Sequence, residues 1–242
     1  MIARRSLVVA SALTTIAAST AGAQPSAIRD FPGVYVAVWV GAVEIITGPE
    51  VYPMTDAARQ AYEAFDPFVS DPRRLNDCAP EKVPTLLWTA NPIEIEVQAD
   101  RIDISFEEGG SSRVIWLNGA SPPADQPYTA VGYSVGHWEE GALVVQTTHM
   151  DSPTIVNDLG HPLSADAVLT ERYWKEPGET TLRLEFQIND PANYTEPLSF
   201  SRIWEPSETE QVQPWECVSL GTRDDSEPPD FDELTRMLEE LE

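Results

Sequence analysis

From Pro92 onwards the chain alternates apolar and polar residues. Ile93, Ile95 and Val97 stand against Glu94, Glu96 and Gln98; Ile102, Ile104 and Phe106 stand against Asp103, Ser105 and Glu107. A period of two puts each set on one side of an extended strand, giving one dry face and one wet face. Short polar breaks punctuate the pattern: Ala99-Asp100-Arg101, Gly109-Gly110, Asn118-Gly119, Glu139-Glu140-Gly141 and Glu176-Pro177-Gly178-Glu179. Such breaks return the chain on itself, so neighbouring strands pair antiparallel. Further strands are predicted at residues 34–40, 113–117, 133–138, 142–150, 167–174, 181–188, 198–204 and 213–218. The fold class that follows is mainly β: an antiparallel meander of about nine strands, forming a lipocalin-like barrel or a strongly bent sheet.

Helical periodicity is confined to two places. Thr55 is a plausible N-cap for residues 56–65, where Ala57, Ala61, Tyr62 and Phe65 recur at helical spacing. Near the C-terminus, Phe231, Leu234, Leu238 and Leu241 form an apolar stripe on an acidic segment, which predicts a short amphipathic helix. Residues 66–84 carry prolines, an Arg pair and Cys78, and read as a long loop. The expected organisation is a signal peptide over residues 1–23, one β-rich domain over 24–223, and an acidic tail over 224–242.

The signal-peptide reading rests on Arg4 and Arg5, a short apolar run over residues 7–18, and the small-x-small site Ala21-Gly22-Ala23. That run is too short to span a bilayer. A periplasmic or secreted protein is expected, with no membrane insertion after cleavage. The formal charge is −25, and losing Arg4 and Arg5 would take it to −27. A chain this acidic repels phosphate backbones, which disfavours nucleic-acid partners. Cys78 and Cys217, an even pair in an oxidising compartment, are expected to form a disulfide. Closing so long a loop would contribute roughly 4–5 kcal/mol on the chain-entropy model.

In the middle of the chain, the stretch Tyr133-Ser134-Val135-Gly136-His137-Trp138-Glu139 followed by Leu143-Val144-Val145 is similar to a GxSxGxWEGDxLVVxT signature. In this it resembles a family of uncharacterised exported bacterial proteins that carries the signature. Cys78-Ala79-Pro80, residues 92–95, 113–119, 160–172 and 190–197 fit the same group in order. The resemblance spans most of residues 55–218 and implies no particular activity. Glu140-Gly141-Ala142 departs from the signature, in a turn.

Candidate functional residues are polar side chains on otherwise apolar faces, because a barrel interior with fixed polar groups is a ligand or active site. Arg172 shares a face with Trp174, and Arg202 with Trp204; Arg113 lies on the 113–117 strand. These five are the expected ligand-binding residues, since Arg beside an aromatic ring suits a carboxylate or a planar polar molecule. A catalytic alternative uses His149 or Glu171 as base, with Arg172 or Tyr173 stabilising developing negative charge. His137, His149 and His161 are spaced by twelve residues and match no metal motif, so no metal site is expected. Gly132 to Gly136 matches G-x-S-x-G literally, yet leads into a hairpin rather than the strand–helix elbow that activates a serine. No phosphate-cradling loop or dinucleotide fingerprint occurs, and no cofactor is expected.

The leading expectation is binding of a small, partly apolar molecule in a barrel cavity. The alternatives are a cofactor-free isomerase, lyase or hydrolase in the same cavity, and an interaction protein that uses its acidic tail on an unknown protein partner.

Overall fold

A computed structural model describes residues 31–40, 43–44, 46–48, 51–66, 80–151, 154–157 and 159–217. The expected signal peptide, Cys78 and the C-terminal helix lie outside these residues; Cys217 lies within them and is not a free thiol.

Nine strands close into a barrel. They are β1 Gly33–Ala37, β2 Ile93–Val97, β3 Arg101–Phe106, β4 Ser112–Trp116, β5 Tyr133–Glu139, β6 Ala142–Thr148, β7 Val168–Trp174, β8 Leu182–Asn189 and β9 Leu198–Ser207. Each pairs with the next in sequence, and β9 returns to β1 with Val34 opposite Ser207 and Ala37 opposite Trp204. All neighbours are antiparallel except β4 and β5. The long connection over residues 117–132 carries the chain back across the barrel, so β5 starts beside β4 and runs the same way. That parallel seam registers only Ile115 with Ser134 and Trp116 with Val135, whereas β5 and β6 pair from Tyr133–Thr148 to Glu139–Ala142.

The alternation seen in the sequence becomes the two faces of the wall. Ile93, Ile95, Ile102, Ile104, Phe106, Ile115, Val145, Leu169, Leu184, Phe186, Ile188 and Phe200 are buried inside. The strand expected at residues 213–218 does not form: residues 211–217 have no strand pairing. β9 pairs with β1 through residues 204–207 and, beyond them, Ser201 and Arg202 pair with Thr47 and Ile46, so the places beside β9 are taken by other segments.

One end of the barrel is stoppered. After Val83 and Pro84, a 3-10 turn over Thr85–Trp88 buries Leu86 and Leu87. Trp88 packs edge-on against Phe200 at 4.9 Å and Phe186 at 5.7 Å, and its Nε1 donates to the Val156 carbonyl at 3.1 Å.

Helix α1, Asp56–Glu63, starts as expected, with the Thr55 hydroxyl accepting from the Ala58 amide at 3.2 Å. Its buried residue is Ala58, while Ala57 and Ala61 are exposed. Tyr62 instead stacks on His161 at 4.5 Å, and Tyr52 covers the other face of that imidazole at 3.7 Å.

Candidate functional site

Several inward positions of the wall break the apolar pattern, among them Ser134, Thr147, Glu171 and two arginines. On β4 the inward positions are Arg113 and Ile115; on β9 they are Leu198, Phe200, Arg202 and Trp204. A buried guanidinium is costly unless a carboxylate and further acceptors meet it.

Arg113 meets Glu171, the inward residue between Leu169 and Tyr173 on β7. The contact is bidentate: Nη1 to Oε2 and Nη2 to Oε1, both 2.8 Å. Nη2 also reaches Ser134 Oγ on β5 and Thr147 Oγ1 on β6, each at 2.8 Å. The two hydroxyls are 2.9 Å apart, and Thr147 donates to Glu171 Oε1 at 3.3 Å. Tyr173 donates its phenol proton to Glu171 Oε2 at 2.6 Å. All five side chains are at most 2% exposed. Burial pushes the Arg113 guanidinium down, but the Glu171 charge and hydrogen bonds more than offset this and hold it above its ordinary value. Burial first, and the Glu171 charge second, raise the Tyr173 phenol well above its usual range, so it stays a donor.

Arg202 is placed differently. Its Nη1 donates to the Leu87 carbonyl at 3.2 Å and its Nη2 to the Thr89 carbonyl, while its guanidinium lies 5.0 Å from the Trp204 ring centre. Those carbonyls belong to the stopper, so Arg202 holds that segment in the barrel.

The two Arg-Trp pairs therefore do not share a face. Leu169, Glu171 and Tyr173 point inward, which puts Arg172 and Trp174 on the outer side of β7. They line a groove of about 600 Å³ at the rim opposite the stopper, together with Phe31, Lys175 and the hairpin ends at Glu140-Gly141 and residues 176–180. Phe31 packs edge-on against Trp138 at 5.0 Å, and the Lys175 ammonium lies 5.2 Å from the Tyr35 ring centre. Trp174 Nε1 donates to Glu176 at 2.9 Å, and Arg183 pairs with Glu179 at 2.8 Å.

The expected catalytic set is not brought together. His149 follows the end of β6 with φ 56°; its Nδ1 is 2.9 Å from the Thr148 hydroxyl and its ring centre 5.1 Å from that of Tyr128. Glu171 is enclosed by Arg113, Thr147 and Tyr173, and Arg172 projects from the opposite face of its strand. Among the described residues no group of three or more His, Cys, Asp or Glu side chains could hold a metal ion.

Sequence reasoning missed Ser134, Thr147 and Tyr173 as partners of Arg113. The signal was present: Ser134 alternates with Gly136 and Trp138, and Thr147 with Leu143 and Val145. Each is a hydroxyl on the dry face of its strand.

Fold and site together define a closed nine-stranded β-barrel protein, with an ion-pair network inside and a groove of mixed charge beside Trp174 at its rim. No family model matches this chain, and no match is found among curated proteins.

Proposed function

We propose that this protein binds a small, partly apolar molecule, and that the molecule seats in the rim groove. The observation that carries the reading is the groove itself: its volume of about 600 Å³ falls within the roughly 300–1,000 Å³ of small-molecule sites. Trp174 offers apolar surface there, and Arg172 and Lys175 offer polar groups. The buried Arg113–Glu171 network supports the wall that carries the groove, since Tyr173 and Glu171 sit on the same strand as Arg172 and Trp174.

The test is a titration with 2-naphthol, followed by the indole N–H resonances of the seven tryptophans. The expected result is a saturable shift centred on Trp174 that disappears in Trp174→Ala. Absence of any saturable shift, or one that survives Trp174→Ala unchanged, overturns the proposal.

Export and the Cys78–Cys217 disulfide belong to the same proposal. Intact mass of protein recovered from an exporting host should correspond to a chain starting at Gln24, two protons lighter than the reduced form. An uncleaved or fully reduced chain contradicts them.

A further inference from the structure

We infer that the rim groove selects a small aromatic monocarboxylate, with its anionic group on Arg172 and its ring against Trp174; this rests on the binding reading above. The groove's charges divide into those already engaged and those still open. Glu176 accepts from the Trp174 indole, Glu179 is paired with Arg183, and the Lys175 ammonium lies over the Tyr35 ring. Arg172 is different. Glu185 stands directly opposite it on β8, in the register that pairs Arg172 with Glu185. Opposite charges at such positions are within reach and ordinarily pair. Yet among the described residues no carboxylate lies within ion-pair or hydrogen-bond distance of Arg172, whose side chain lines the groove beside Trp174.

A guanidinium recognises a carboxylate through two parallel N–H donors, and its planar fork suits that shape better than a point charge does. Trp174, the next residue on the same outer face, sets an indole beside it, so an aromatic ring joined directly to a carboxylate can touch both. Glu140, at the hairpin on the far side of the groove, carries the same sign as the ligand. It favours one negative charge over two. The net charge of −25 slows the approach of any anion. Selectivity here therefore comes from local contact, not from long-range attraction.

The experiment compares 2-naphthoate with 2-naphthamide, which share ring and shape but differ in charge, by calorimetric titration of the full mature chain. The expected result is naphthoate binding about tenfold more tightly, with the difference erased in Arg172→Gln and partly kept in Arg172→Lys. A melting curve for each variant confirms folding, which should be unaffected because, among the described residues, the Arg172 side chain makes no ion pair or hydrogen bond. Equal affinity for both probes overturns the carboxylate inference and leaves the binding proposal standing. A preference that persists in Arg172→Gln also overturns it, since another cation would be responsible. Binding of neither probe overturns the binding proposal itself, and the inference with it.

Discussion

Arg113 and Glu171 show what a single buried charge demands of its neighbours. Removing one partner strands the other inside the barrel, so Arg113→Met or Glu171→Leu should each cost about 3–5 kcal/mol of folding stability. The double variant should cost much less than the sum, because two apolar side chains leave no orphaned charge. A denaturant-unfolding double-mutant cycle measures this; additive losses would show that the pair is not coupled. His161 supplies the pH-sensitive residue. Burial between Tyr52 and Tyr62 lowers its affinity for a proton below the ordinary imidazole value of 6.5. As pH falls below about 6.5, the unfolded chain takes up a proton that the folded one refuses, so stability drops. His161→Phe, which keeps a ring between the two tyrosines, should show a shallower stability loss from pH 7 to pH 5. An identical slope would refute the assignment. At this scale the sequence was only partly legible. The placement of Glu171 and Arg172 on opposite faces was readable from the alternation, but which face was dry was not, because Val168, Thr170, Arg172 and Trp174 look as buriable as Leu169, Glu171 and Tyr173.

The strands were the most legible elements, because two-residue periodicity survives in nearly all of them. Two things were hidden. The parallel seam between β4 and β5 leaves no local mark, since only the path of the long 117–132 connection determines direction. The stopper was hidden for another reason: Thr85–Trp88 is too short for a periodic signal, and its place inside the barrel depends on Arg202, more than a hundred residues away. Hydrogen bonds to a charged donor contribute about 1.5–3 kcal/mol each. Arg202→Met should therefore destabilise the protein by at least about 2 kcal/mol and speed amide exchange over residues 83–89 ahead of the barrel strands. Uniform acceleration across all strands would mean that the stopper does not open separately. Gly132, just before β5, adopts φ +67°. A Cβ there would lie 2.6 Å from the Thr148 carbonyl oxygen, so Gly132→Ala combines backbone strain with a clash. The pairing of β5 with β6 should loosen at that end, visible as faster exchange of the Tyr133 and Thr148 amides.

At the level of the whole molecule, composition and topology act on stability in opposite directions. A net charge of −25 repels itself in the compact state. Added sodium chloride should accordingly raise the melting temperature up to a few tenths molar, where screening is largely complete; a flat response would indicate that the acids are already balanced locally. Closure removes the exposed edges that an open sheet of this length would present. It also makes alignment around the ring a global condition, and the seam between β4 and β5 is where that condition is least enforced by backbone pairing. The interior network supplies the missing enforcement. A slip of one residue at the seam would turn Arg113 out to water and leave the Glu171 carboxylate in the core with its guanidinium gone. A misaligned ring is therefore heavily penalised, and the five side chains that look like a reaction centre act as a proofreader of the fold.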